Sequence, residues 1–232
     1  MDALIFDCDG VLVDTERDGH RVAFNAAFEE AGLALTWSVE RYGELLTTGG
    51  GKERMVRHFD ETGWPKGFDD RAALIALLHK KKTDFFTDLI EAGALPLRPG
   101  VIRLVDEALA AGLPIAVCST SNEKSVRAIV EKLLGPGRAP KISIFAGDIV
   151  KVKKPDPAIY NLAATTLSLK PKNCVVIEDS HIGLMAAKAA GMKCIVTKSP
   201  YTQDEDFSIA DRVVSHLDEG VDLPLCRSVI DA

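Results

Sequence analysis

The chain has 232 residues, with 28 Lys and Arg against 34 Asp and Glu, a net charge of −6 at neutral pH and 47% hydrophobic residues. That composition excludes disordered and fibrous classes and suits a soluble globular protein of one large or two small domains. Mild acidity argues against nucleic acid as the main partner, because phosphate-backbone binding rests on basic faces, and no stretch approaches the ~20 apolar residues of a membrane span.

In chain order, Met1 leads almost at once into the apolar run 3–6 and Asp7, with no basic or Arg/Ser-rich leader, so a mature form is expected, from which a leader could have been removed. The run 3–6 reads as a strand. From about residue 15 to 93 no convincing strand follows, but four helical segments do: 16–31 stopped by Gly32, 39–46, 52–62 and 71–92. This reads as a helical insertion directly after the first strand, with hinges at 13–16 and at 95–100, the latter carrying Pro96, Pro99 and Gly100. Strand then alternates with helix: helix 101–111, strand 115–118, helix 123–134, strand 141–145, strand 174–177, helix 180–190, strand 194–196 and a last strand near 212–215. Most of these strands are continuously apolar, the pattern of strands buried on both faces of a parallel sheet, so the fold class is α/β.

The five cysteines (Cys8, Cys118, Cys174, Cys194, Cys226) are scattered, odd in number and without CxxC spacing. That excludes a disulfide framework or a zinc site and points to a reducing compartment. The first four lie in apolar runs and read as small buried hydrophobes. Cys174 and Cys194 open successive strands that could bring them close together.

Several apolar runs end abruptly in polar residues: Asp7 with Asp9, Ser119 with Thr120, Glu178 with Asp179, and Thr197. Ligands of open parallel sheets bind at the carboxyl ends of the strands, so these side chains are expected to converge in one crevice. Asp7-Cys8-Asp9-Gly10 is not a calcium loop, since its glycine is fourth instead of sixth and a buried strand precedes it. Carboxylates gathered in one cleft repel each other unless a cation sits among them, and all-oxygen ligation suits Mg²⁺. A phosphate there would need positive and hydrogen-bonding groups beside the metal; Ser119 offers a hydroxyl and Lys154, followed by Pro155, an ammonium.

In this order the residues resemble the four motifs of haloacid dehalogenase superfamily phosphotransferases that carry a helical cap after the first strand. The matching segments are Asp7-Cys8-Asp9-Gly10-Val11-Leu12-Val13-Asp14-Thr15, Ser119, Lys154-Pro155 and Ile177-Glu178-Asp179-Ser180. The resemblance implies a Rossmann-like α/β core formed by 1–14 and 96–232, with a helical cap at 15–95. It implies that Asp7 is the nucleophile and a metal ligand, and that Asp9 is the general acid/base, also binding the metal through its backbone carbonyl. Ser119 and Lys154 would grip the transferring phosphoryl group, and Asp179 would ligate Mg²⁺ with Glu178 beside it. An aspartyl-phosphate intermediate follows, with Asp9 protonating the leaving oxygen and later deprotonating the hydrolytic water. Dehalogenases and phosphonatases of the superfamily lack the second aspartate, so Asp9 favours phosphate esters.

The segment Thr47-Thr48-Gly49-Gly50-Gly51-Lys52-Glu53-Arg54-Met55 is a glycine loop opening a helix, and Glu53 in place of Ser or Thr excludes a P-loop. Exposed amides at a helix N-terminus beside Lys52 and Arg54 form a natural anion site. Between Lys52 and Lys82 eight Lys and Arg face five Asp and Glu, a net of +3; Arg57, Lys66, Arg71, Lys80 and Lys81 read as a solvated face. The insertion resembles the cap of CbbY-type proteins, plant and algal ones in particular, through 14–21, 49–55 and 79–83. Those proteins are xylulose-1,5-bisphosphate phosphatases, which remove an inhibitor of the carbon-fixing enzyme Rubisco. The resemblance implies substrate contacts from Glu16, His20, Gly50, Gly51, Lys52, Arg54 and Lys82. It further implies a sugar bisphosphate as the small-molecule partner, no membrane partner, a monomer, and a chloroplast stromal location, with bacterial cytoplasm as the alternative. Related β-phosphoglucomutases place a cap histidine one position closer to the nucleophile than His20 and lack the triple glycine, so mutase activity is the alternative. A non-catalytic sugar-phosphate sensor should show decay at Asp7, Asp9 or Asp179, and none is present.

Overall fold

The computed structural model describes residues 1–48 and 50–231. Among these, β1 (Ala3–Phe6) leads to a π-helical stretch, Thr15–His20, and then to α1 (Arg21–Glu30), α2 (Val39–Leu46), α3 (Gly51–Thr62) and α4 (Arg71–Glu91). There follow α5 (Val101–Ala110), β2 (Ile115–Ser119), α6 (Glu123–Leu133), β3 (Ile142–Ala146), α7 (Ala158–Thr166), β4 (Cys174–Glu178), α8 (His181–Ala189), β5 (Lys193–Thr197), β6 (Arg212–Val214) and α9 (Leu223–Asp231). No described helix is long and apolar enough to cross a membrane. The chain divides into two compact units, Met1–Asp14 with Gly93–Ala232, and Thr15–Ala92. The second crossing falls ahead of residue 96, because Val13 bridges Leu97 and Leu95 is buried within the first unit.

The first unit is built on six strands in the order β3-β2-β1-β4-β5-β6, every neighbouring pair parallel. Alternate residues pack on each side, as the pleat requires. Ile5, Ala116, Cys118, Val176 and Cys194 meet Ile159 and Tyr160 of α7 and Leu184 and Ala187 of α8 on one face, while α5 packs on β2 and α9 on β4. The chain runs outward from β1 through β2 to β3, then restarts on the other side of β1 at β4. That reversal is a topological switch point, the place where the carboxyl ends of an open α/β sheet leave a crevice. β2 and β4 each run one residue past the apolar stretch, so Ser119 and Glu178 are the last residues of strands and are held by the ladder.

Helices α7 and α9 fall outside the sequence assignments. Ala158–Thr166 shows only a weak period of 3.6, and Leu223–Asp231, although amphipathic through Leu223, Cys226 and Val229, is short and carries the breaker Pro224 in its first turn. All five cysteines are free and buried. The register places Val176, not Cys174, opposite Cys194, which offsets that pair by two residues.

In the second unit Trp37 is fully buried and in ring contact with Phe24 and Phe28 of α1, Tyr42 of α2 and His58 of α3, while α4 packs on α1 and α3. Ser38 and Asp70 cap α2 and α4 by accepting from the amides of Arg41 and Ala73. The helix expected over 16–31 is not continuous: residues 15–20 take the wider π turn, in a stretch weakened by Asp18 and Gly19. Such turns recur at functional sites.

Two glycines flanking α5 separate backbone strain from packing. Both have positive φ, +85° at Gly100 and +65° at Gly112, but a methyl at Gly100 would sit 2.7 Å from the backbone of Leu217 and Asp218, whereas Gly112 faces open space. Gly112→Ala should cost about 1–2 kcal/mol, the left-handed backbone penalty. Gly100→Ala should cost roughly 1–3 kcal/mol more from overpacking. Urea denaturation checks both, and equal losses would contradict the packing argument.

Candidate functional site

The strand ends of the first unit assemble one group of side chains. Asp7 follows β1, its amide donating to the Ile177 carbonyl of β4 at 2.9 Å, which sets it beside Glu178. The turn continues through Asp9 to Gly10, whose φ is +76° and whose absent Cβ would lie 2.0 Å from an Asp179 carboxylate oxygen. Only glycine lets this turn approach Asp179 so closely. Lys154 reaches into the middle: its ammonium donates to Asp7 Oδ1 and to Glu178 Oε1, each at 2.6 Å, and to the Cys118 carbonyl at 3.0 Å. Asp9 is held separately, its Oδ2 accepting from Ser121 Oγ at 2.5 Å and from Ser119 Oγ at 3.3 Å.

The structure therefore brings together Asp7, Asp9, Ser119, Lys154, Glu178 and Asp179, and adds two residues that the sequence reading missed. Ser121 orients Asp9; its signal was the polar run Ser119-Thr120-Ser121-Asn122. Tyr160, buried on α7, donates to Glu178 Oε1 at 2.5 Å and lies under the Lys154 ammonium, 5.0 Å from ring centre to nitrogen. A lone tyrosine in an apolar helix was its only trace. Thr197 does not join the group: its hydroxyl donates instead to the Ser215 carbonyl beyond β6.

Asp7, Glu178 and Asp179 each present a carboxylate oxygen, all within 4.8 Å of one another and all buried. Burial foremost, then the neighbouring carboxylates, raise Asp7 to about 7 despite Lys154, and push Asp179 well above the usual carboxylate range. Burial opposes the charge on Lys154, but Asp7 and Glu178 outweigh it and raise its pKa. One ammonium among three buried carboxylates leaves a deficit of positive charge, and the open donors are hard oxygens; the group fits a divalent cation. Glu178 is already engaged on both oxygens, by Lys154 and Tyr160 on Oε1 and by the Asp179 amide on Oε2.

The second unit builds a cluster of its own. Tyr42, fully buried, donates to Glu16 Oε2 at 2.5 Å and receives Arg54 Nη1 at 3.1 Å, while that guanidinium lies 3.7 Å from Glu16. Arg54 Nε also holds the Thr48 carbonyl at 3.0 Å, ahead of the glycine loop. Lys82 Nζ lies 3.0 Å from His20 Nδ1, over the rings of Phe24 and Phe86. Burial first, then Lys82 and Arg54, lower His20 to about 3, so it is a neutral acceptor here. Of the expected substrate residues, Glu16 and Arg54 meet on Tyr42, a residue the sequence reading did not single out, and His20 and Lys82 pair within electrostatic reach of Arg54 and Glu16. Lys52 does not join them: it is exposed on α3 beside Glu53 and Val56.

At the loop amides expected to hold an anion, Glu53, the third residue of α3, turns its carboxylate back to within 2.1 Å of where a Gly50 Cβ would be. Gly51 packs against Phe24 and His79, and Gly49 lies outside the described residues. The bases expected to be merely solvated are mostly paired: Arg57 with Glu61, Thr47 and Thr48, Lys80 with Asp84, Lys81 with Glu30, and Arg71 over the Trp64 ring.

Residues 1–191 match the haloacid dehalogenase-like hydrolase family. The chain is 61% identical to a CBBY-like protein of Arabidopsis thaliana, over 98% of this chain and 74% of the relative. It is 43% identical to protein CbbY of Cereibacter sphaeroides, over 94% of each. A crystal structure of a mutant CbbY from Rhodobacter sphaeroides in complex with xylulose-1,5-bisphosphate shares 41% identity, covers 97% of this chain and 98% of its own, and has a TM-score of 0.75.

The Lys82 cluster makes a stability prediction. Burial first, then Arg54 against the pull of Glu16, lowers Lys82 from 10.5 to about 8. Between those values the unfolded chain holds a proton that the folded chain has released, so stability rises with pH across that window, and below pH 8 the full cost is present. Lys82→Met should therefore melt a few degrees higher than the parent at pH 7, with the gap narrowing as pH rises from 8 toward 10.5. Thermal melts across that range check it; a constant gap would contradict the assigned burial of the ammonium.

Proposed function

Because the chain belongs to the haloacid dehalogenase-like hydrolases and is a phosphatase of that family, we propose that Asp7 is its nucleophile and that its substrate is a sugar bisphosphate, xylulose-1,5-bisphosphate in particular. The observation that carries this reading is the division of labour between two aspartates two residues apart. Asp7 is buried against Lys154, and Asp9 is held off it by two serine hydroxyls. Asp7 Oδ attacks phosphorus, the ester bond breaks, and the electron pair leaves with the sugar oxygen, to which Asp9 gives a proton. Asp9 then takes a proton from the water that hydrolyses the aspartyl phosphate. Lys154 and Ser119 hold the transferring phosphoryl oxygens, and Glu178 with Tyr160 fixes the ammonium in place.

Asp7 and Asp179, with the backbone carbonyl of Asp9, are the residues that would hold Mg²⁺. Glu178, expected among the ligands, serves first as the counter-ion of Lys154. When bound, the cation would supply charge neutralisation between a carboxylate nucleophile and an anionic phosphate. Glu16, Tyr42, Arg54, His20 and Lys82 would read the rest of the substrate, Arg54 as the partner of the second phosphate. Support for this substrate comes from the bisphosphate complex of the similar bacterial protein. Removal of a Rubisco inhibitor in the chloroplast stroma belongs to the same reading, with bacterial cytoplasm as the alternative, and the plant and bacterial relatives are consistent with either; fractionation of plastids checks the location, and light scattering checks the expected monomer.

Asp7→Asn should abolish phosphate release while leaving the melting temperature near that of the parent, because Lys154 keeps Glu178 as its partner and an amide is a poor nucleophile. Chelation should abolish activity as well, with Mg²⁺ restoring it. Near-normal turnover by purified Asp7→Asn, or full activity in EDTA, would sink the mechanism.

Arg54→Ala tests the substrate. If its charge-assisted contact with the second phosphate contributes roughly 1.5–3 kcal/mol, kcat/KM toward xylulose-1,5-bisphosphate should fall on the order of 10–100-fold, with hydrolysis of a small aryl phosphate nearly unchanged. An equal loss on both substrates would reduce Arg54 to a support for Tyr42 and the Thr48 carbonyl.

A further inference from the structure

Arg98 lies in the breaker segment between Pro96 and Gly100, where the sequence suggests only a stiff connection. Its main chain donates to the Leu12 carbonyl at 2.8 Å, and its guanidinium gathers four backbone carbonyls from three separate stretches of the first unit. Nη1 donates to Gly10 and, at 3.0 Å, to Thr197; Nη2 donates to Lys198 at 2.6 Å and to Ser215 at 2.8 Å. These are the turn after β1 and the ends of β5 and β6.

Two of those attachments bear on one side chain. Gly10 is in close contact with the Asp179 carboxylate, 2.0 Å from oxygen to its missing Cβ. Ser199, the residue after Lys198 and itself buried, adjoins that carboxylate from the other stretch and favours its ionised form. Both flanks of Asp179 are thus fastened to the same guanidinium. Arg98 also places positive charge near Asp179. A planar fork with five donors suits this task, and an ammonium could not span four carbonyls.

We infer that Arg98 is the positioning residue of Asp179: by locking the Gly10 turn and the 197–199 stretch to each other, it sets that carboxylate for the divalent cation. The inference rests on the proposed metal site. Arg98 touches neither substrate nor reacting atoms, and it acts by fixing the shell behind a ligand.

Arg103 is the internal control. It also grips backbone, donating to the Leu217 and Val221 carbonyls at 2.9 and 3.0 Å and pairing with Glu107 and Asp218, but none of these residues belongs to the carboxylate group. Mg²⁺ affinity is measured by calorimetry on substrate-free protein for the parent, Arg98→Met, Arg98→Lys, Arg103→Met and Asp179→Asn. Arg98→Met is expected to weaken Mg²⁺ binding by roughly 10–100-fold, the usual loss when the support of a ligand is removed. Arg98→Lys should recover part of that loss by restoring charge without the fork. Arg103→Met should lower the melting temperature and leave Mg²⁺ affinity unchanged. Parent-like affinity in Arg98→Met, or an equal loss in Arg103→Met, would overturn the assignment. If Arg98→Met does not fold, Arg98→Lys against Arg103→Met makes the same comparison. A parent protein showing no Mg²⁺ binding that Asp179→Asn removes would instead overturn the metal reading, and this inference with it.

Discussion

The ammonium of Lys154 between Asp7 and Glu178 is the interaction on which the first unit's chemistry depends. Three carboxylates cannot be buried together without compensation, since desolvation of even one ion costs several kcal/mol. One internal cation, 5% exposed and bonded to two of them at 2.6 Å, supplies part of it. The remainder is left open, which is why Asp7 and Asp179 are both pushed toward their neutral forms. A site in this condition attracts positive charge and is suited to receive a phosphate only with a cation in place. The fold tolerates the arrangement because the central strands behind it, β1, β2 and β4, are buried on both faces, leaving the group attached to a rigid frame.

In the proposed reading the two units divide the work of chemistry and recognition. In the first, Asp7 follows β1 and bonds to β4, and Ser119 and Glu178 end β2 and β4 within the ladder, so their spacing is set by the sheet. In the second, recognition groups sit on a π turn and on three different helices, and a buried tyrosine hydroxyl joins the acidic and basic members. Burying Lys82 over two phenylalanine rings beside a neutral His20 disfavours its charge, a cost that those ring contacts and Glu16 offset only in part. Perturbed groups of that kind collect where function requires them.

Much of this was legible in the sequence, for a definite reason. A strand buried on both faces must be apolar throughout, so the first polar residue after it marks the carboxyl end of the sheet; this located Asp7, Ser119, Glu178 and Asp179 to within a residue. What was not legible depends on contacts between distant positions or on the direction of a side chain. The pairing of Tyr42 with Glu16 spans 26 residues, and the turning of Glu53 over Gly50 depends on its rotamer. Lys52 and Arg54 share a glycine loop in the sequence but leave α3 on different faces, a consequence of its 100° per residue. The offset of Cys174 from Cys194 is a matter of register, which periodicity alone does not give.

The central claim is that the Asp7 carboxylate becomes covalently phosphorylated. Its most direct test is a single turnover with xylulose-1,5-bisphosphate, quenched in acid and treated with borohydride, which reduces an aspartyl phosphate to homoserine. Peptide mass spectrometry should then find homoserine at position 7 alone, in an amount that rises and falls with the turnover. Reduction at another carboxylate, or phosphate release at full rate with position 7 always recovered as aspartate, would contradict the account.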